Sequence, residues 1–178
     1  DTVWLDHLDV AANTQGRGNP HMKTLVDGQA LTIGWKTFKH GLGTHAESIL
    51  HIKLDGGAEK FSASVGVDDD VNHSPNSSVE FFVIGDGKEL WHSGVMHAAA
   101  APKDCEVDVT GVKLLVLKVG DADDGIDHDH ADWADAKFTT ASATTFTVSG
   151  EAVLPPVAPY ILTPAAPATP RINGASVF

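Results

Sequence analysis

Apolar and polar residues alternate, or apolar residues gather in short runs, at strand length through most of the first 138 positions. The runs are SILHIKL (48–54), FSASVGV (61–67), VEFFVIG (79–85), ELWHSGVM (89–96), CEVDVTGV (105–112), KLLVLKV (113–119) and WADAKF (133–138). A period of two puts every second side chain on one face of a sheet, so these segments predict β-strands. Between them stand Asp55-Gly56-Gly57, Gly85-Asp86-Gly87 and Thr110-Gly111, residues that accept the positive φ of tight hairpin turns. Short strands with regular turn signals predict an all-β fold, a β-sandwich or jelly roll. Only the stretch from Asp6 to Ala12 has helical character.

Two connections, 68–78 and 121–132, are long and polar. Long loops on a rigid sandwich commonly carry function, so both are candidate sites. After Gly150 the composition changes, with six prolines between Pro155 and Pro170. Each proline removes a backbone donor and fixes φ, which predicts an extended linker. The organisation expected is a domain over residues 1–149 and a Pro-rich linker over 150–178. The closing RINGASVF reads either as the first strand of a following module or as an ordinary terminus.

The chain of 178 residues, 42% apolar, can bury one sizeable core. Its formal charge of −12 and pI near 5.0 repel phosphate backbones and anionic lipid, so neither nucleic acid nor a membrane surface is an expected partner. No apolar run has the length of a membrane span. The start at Asp1, without a basic or apolar leader, implies a removed signal or a domain cut from something longer. The single cysteine, Cys105, lies in an alternating strand and reads as a buried thiol.

The densest chemistry is DADDGIDHDHADWAD, Asp121 to Asp135, with seven Asp, two His and one Trp. Carboxylates so crowded repel one another unless a cation, donors or water intervenes. The segment therefore reads as a hard-cation site, a polar ligand surface or a solvated acidic loop. In GLGTHAES (41–48) two glycines set a tight turn that delivers His45 and Glu47. A neutral imidazole both donates and accepts, which suits a pair of sugar hydroxyls, and it equally suits capping of the turn. In GVDDDVNHSPNSS (66–78), Asp69 and Asn72 offer bidentate partners to vicinal hydroxyls or satisfy the turn itself.

Aromatic residues bear on the choice, because a sugar ring packs its C–H face on an indole. Of Trp4, Trp35, Trp91 and Trp133, at least two are expected in the core. Trp133 reads either as a core anchor or as a ring platform, and Trp91 as half exposed. A catalytic reading would use His128, His130 and Asp132 as a transition-metal centre or as acid and base. No HExxH, GxSxG or P-loop accompanies them.

The runs TLVDGQALTIGWKTFKHGLGTHAESILHIKLDG, FSASVGVDDDV, VEFFVIGDGKELWHSGVM, VDVTGVKLLVLKV and DADDGIDHDHADWADAKF occur in that order. Together they resemble the NPCBM family of carbohydrate-binding modules, from about Trp4 to Phe138. The tail YILTPAAPATPRINGASVF resembles the segment between modules of bacterial α-galactosidase-like glycoside hydrolases. The resemblance implies a discoidin-like β-sandwich jelly roll, noncatalytic, attached to the catalytic domain of a secreted or periplasmic bacterial glycoside hydrolase and recognising galactose-type glycans. It implies a sugar site gathered from His45, Glu47, Asp69, Asn72, Asp129, His130 and Trp133, with Arg17 able to join. It also implies a structural Ca2+ held by Asp27 and Asp135 with carbonyls around Ala30, Leu31 and Ala134. The alternative is a structural or protein-docking module that no longer binds sugar.

Overall fold

The computed structural model describes residues 1–9, 14–15, 21–22, 30–74 and 76–149. Arg17, Asp27 and the segment 150–178 lie outside the described residues. The strands are β1 (Thr2–Trp4), β2 (Thr14–Gln15), β3 (His21–Met22), β4 (Thr32–Ile33), β5 (Lys36–Thr37), β6 (Gly41–His45), β7 (Ser48–Lys53), β8 (Lys60–Val67), β9 (Ser78–Gly85), β10 (Lys88–His97), β11 (Lys103–Asp108), β12 (Leu114–Gly120), β13 (His130–Thr139) and β14 (Thr147–Ser149). They form two antiparallel sheets packed as a sandwich. The first runs β11-β8-β13-β6-β3, with β1 sharing an edge of β13, and the second runs β10-β9-β12-β7-β14, with β2 on β7.

Each alternating run became a strand. Phe61, Ala63, Val65 and Val67 of β8 meet Val79, Phe81 and Val83 of β9 and Leu115, Leu117 and Val119 of β12 in one core. Asp86 and Gly87, between the paired strands β9 and β10, take φ of 48° and 82°, the two consecutive positive values of a tight hairpin, and Asp55 and Gly56 take 50° and 78° where the chain crosses from β7 in the second sheet to β8 in the first. The stretch with helical character contains only a 3-10 turn, Leu5–His7. Cys105 is buried in β11, and burial pushes its thiol up to about 12, so it is inert packing.

Two features place the site. The segment GLGTH, expected to form a turn, is instead the buried strand β6 between β13 and β3. Its glycines serve close packing: a Cβ on Gly41 would stand 2.4 Å from the Trp133 carbonyl oxygen. In β13 a bulge lies between Ala134 and Lys137, with Asp135 at φ 48°. Ala131 and Trp133 face the core before it and Ala136 and Phe138 after it, so the extra residue resets the alternation. Across the opposite face of the first sheet lies the β4–β5 hairpin, whose Ile33, with Leu31, Phe38 and Ala134, forms a second small apolar cluster. Gly66 leaves room for it, since a Cβ there would stand 2.4 Å from Ile33 Cγ2.

Candidate functional site

Antiparallel pairing of β6 with β13 sets His45 directly opposite His130. Their rings meet edge to face, with centroids 5.3 Å apart. The His45 Nδ1 donates to the Ala46 carbonyl at 2.8 Å, and the His130 Nδ1 donates to Asp70 at 2.8 Å and 3.1 Å. A carbonyl and a carboxylate only accept, so each Nδ1 carries a proton. These two histidines line a small cavity of about 130 Å3 together with Ile126, Asp127 and His128. Glu47 is exposed just beyond β6.

The loop after β8 is a frame for this end of the sandwich. Asp68 accepts from the backbone N–H groups of Thr32 and Asp70, both at 2.8 Å. Asp69 accepts from Gly34 N at 2.9 Å, Trp35 N at 2.6 Å and Asn72 Nδ2 at 3.0 Å. Asn72 Oδ1 in turn accepts from Ala99 N at 2.7 Å. Asp69 and Asn72 therefore hold the β4–β5 turn and the 97–100 turn together, and the next carboxylate, Asp70, orients His130.

The acidic run divides at His130. Residues 130–132 belong to β13 rather than to the loop, and only 121–129 form the connection. Residues 123–128 are exposed, whereas Asp129 is wholly buried. Asp129 accepts from Ser78 N at 3.2 Å through one oxygen, while the other has no hydrogen-bond partner. Burial raises its pKa to about 7, and the neighbouring Asp124, Asp121 and Asp127 push the same way. Asp129 is thus an anchor beneath the loop, not a surface contact as expected, because no part of it reaches solvent. Asp132 is fully buried as well, and burial, reinforced by the nearby Asp68, Asp70 and Asp69 carboxylates, raises its pKa well above the usual range, while neither of its oxygens has a hydrogen-bond partner among the described residues. The metal centre weighed from His128, His130 and Asp132 does not assemble, since Asp132 is wholly buried while His128 stands exposed on the loop.

Trp133 requires a correction. It is 1% exposed, with its ring edge-on to Phe81 at 5.0 Å and to Phe61 at 6.0 Å. A ring surrounded by core aromatics cannot receive a sugar, so Trp133 is the core anchor. The exposed indole is Trp35, 81% accessible, at the tip of the β4–β5 hairpin. Gly34 and Trp35 have φ of 58° and 67°, a two-residue turn fixed by the Asp69 carboxylate. The signal was present as Gly34-Trp35 between two short polar-apolar pairs, which marks a hairpin tip.

Of the expected calcium ligands, Leu31 and Ala134 pack in the same apolar cluster, Ala30 is exposed beside them, and the Leu31 carbonyl accepts from Phe38 N at 3.0 Å. Asp135 lines an open groove of about 260 Å3 with Ser62, Ser64, Asp104, Glu106 and Lys137. At the other end of β6 from His45, Asp6, His7 and His40 form a group able to hold a metal ion, with one ligand atom from each residue within 4.8 Å of the others.

The NPCBM/NEW2 domain profile matches residues 1–139. Alpha-1,3-galactosidase B of Akkermansia muciniphila is 31% identical over 133 residues, which cover 72% of this chain and 16% of that enzyme. Across the curated relatives it matches, the chain spans only 8% to 16% of their length. Among solved structures, the CBM51 of Clostridium perfringens GH95 in complex with methyl-galactose is 29% identical with a TM-score of 0.72, over 78% of this chain and all of that one. The CBM51-2 and INT domains of Clostridium perfringens ZmpB, solved with GlcNAc, are 33% identical with a TM-score of 0.72, over 83% of this chain and 32% of that one. With the sandwich topology and the profile match in agreement, the chain belongs to the NPCBM/NEW2 domain family, the CBM51-like carbohydrate-binding modules of glycoside hydrolases.

Proposed function

We propose that the domain binds a galactose-type sugar, without hydrolysing it, at the end of the first sheet built by His45 and His130. The carrying observation is the pair itself: two imidazoles in register, each with its proton assigned to Nδ1, line one cavity with Asp127 and His128. A sugar hydroxyl is both donor and acceptor, so an imidazole held in one orientation is a suitable partner. Trp35 is the ring platform in this reading, since Asp69 holds its turn while the adjoining Asp70 holds His130. The methyl-galactose complex of the similar CBM51 supports the sugar class. The size of the curated relatives supports a catalytic glycoside hydrolase domain in the same polypeptide, and secretion or periplasmic export follows from glycan as the target.

Calorimetry with methyl galactoside, and with GlcNAc as competitor, tests the site. His45→Ala and His130→Ala should each lower galactoside affinity about threefold to tenfold, the worth of one hydrogen bond. Trp35→Ala should weaken binding by a similar factor with an unchanged Tm. Unaltered affinity in all three variants, or turnover of an aryl α-galactoside by the purified chain, would overturn the proposal, and no measurable sugar binding by the wild type would favour a protein-docking module.

Calcium belongs to the same proposal. Carbonyls of Ala30, Leu31 and Ala134 and the Asp135 carboxylate, with Asp27 from outside the described residues, would make an all-oxygen donor set of the kind Ca2+ takes, and the Leu31 carbonyl keeps a second lone pair beyond its bond to Phe38. Such an ion would bind the folded state and raise Tm, so EGTA should lower Tm and Asp135→Asn should remove that response.

A further inference from the structure

We propose that Asp6, His7 and His40 form a second metal site, selective for a borderline divalent transition ion of the Zn2+ class. The Asp6 side chain is fully buried, yet its neighbours are imidazoles: His40 Nδ1 lies 3.0 Å from Oδ2, and His7 Nε2 lies 3.7 Å from Oδ1. The Gly41 N–H donates to the same carboxylate at 3.3 Å, which fixes its direction. His40 is held in place by stacking on Trp4, with ring centroids 3.9 Å apart and planes 10° from parallel, and its carbonyl accepts from Asp135 N at 2.8 Å. The buried carboxylate and one imidazole are therefore pre-positioned. The exposed His7 is the adjustable third ligand.

The spacing suits an ion of this class. Zinc bonds of about 2.0–2.1 Å at tetrahedral angles separate ligand atoms by about 3.3 Å, close to the 3.0 Å and 3.7 Å found here. Displacing the Nδ1 proton of His40 would turn a hydrogen-bonded pair into two ligands of one ion, and the exposed His7, whose ligand atom lies within 4.8 Å of the other two, would close on it. Two imidazole nitrogens and one carboxylate favour Zn2+, Ni2+ or Cu2+ over Ca2+, which seeks six to eight oxygens. Three protein ligands leave a fourth position for water. The ion would tie the Leu5–His7 turn to the start of β6, and it lies at the opposite end of that strand from His45, so sugar binding does not depend on it.

Equilibrium dialysis of the whole chain against Zn2+, with Co2+ as a spectroscopic substitute, decides the matter. The expected result is one tight equivalent, tetrahedral Co2+ absorption, no competition from Ca2+, loss of that equivalent in His40→Ala and at least about a tenfold loss of affinity in His7→Ala. His7 is exposed, so its variant should retain the fold, and circular dichroism and galactoside affinity check this independently. The chain has ten histidines, so binding elsewhere is a real outcome. A tight equivalent that survives in the His7→Ala/His40→Ala double variant, or no saturable binding to the wild type, overturns the proposal.

Discussion

The two polar connections, 68–78 and 121–129, are both rich in aspartate and meet at the same end of the sandwich, yet their carboxylates do opposite things. In the first, the side chains of Asp68, Asp69 and Asp70 each find donors: backbone N–H groups of the β4–β5 segment for two of them, and the His130 ring for the third. In the second, Asp123 and Asp127 stay exposed, Asp124 accepts from Ser78 Oγ at 2.6 Å, and Asp129 keeps one buried oxygen without a partner. The role of a carboxylate is set by the donors within reach, not by the density of acids along the chain. The first loop is a brace that orients the candidate sugar site. The second is a charged rim over a buried anchor.

Removing the brace should have the largest effect. Asp68→Ala leaves the Thr32 and Asp70 N–H groups unpaired beside Asp132, and orphaned buried donors each cost about 1–3 kcal/mol, so a total loss of about 2–4 kcal/mol in urea unfolding is expected. A loss below about 0.5 kcal/mol would mean that water replaces the carboxylate and that the contrast between the loops is false.

Asp129 gives a smaller, pH-dependent effect. Its folded value, raised to about 7, stands above the unfolded value near 4, so between those pH values the folded state holds a proton that the unfolded state releases. Stability should therefore fall as pH rises from 5 to 7, by roughly 1–2 kcal/mol. Asp129→Asn has no such proton to lose, so its pH profile should be flatter than that of the wild type. Parallel profiles of the two proteins would show that Asp129 is ionised in the fold.

The smallest effect belongs to the rim. Asp123 is exposed at φ 66°, a conformation Asn also tolerates. Asp123→Asn should move stability by less than about 0.5 kcal/mol, read as Tm. A larger change would show that the rim bears structural load.

The strand runs, the Asp-Gly turns and the site histidines were legible in the sequence because period-two alternation, positive-φ turns and ordered motifs are local or short-range signals. The resemblance of GLGTHA, GVDDD and DHADWADAK to a sugar-binding family likewise needed only their order. Local reading failed where a segment distant in sequence supplies the cover. GLGTH looked like a turn because its glycines answer to β13, about 90 positions later, whose backbone a Cβ would strike.

Sequence alone determined that this chain makes two faces of alternating strands and carries a polar, histidine-bearing end. The tertiary structure decided which residues of that end face solvent. Trp133 and Trp35 both stand beside polar residues in the sequence, yet the bulged β13 turns one indole into the core, while the tip of the β4–β5 hairpin holds the other in water. Asp129 and Asp127 are two residues apart, and only the first is buried. Alternation specifies two faces for a strand, but which face is covered depends on segments far away in the chain, and that packing also brings Asp6 and His40 together across 34 positions.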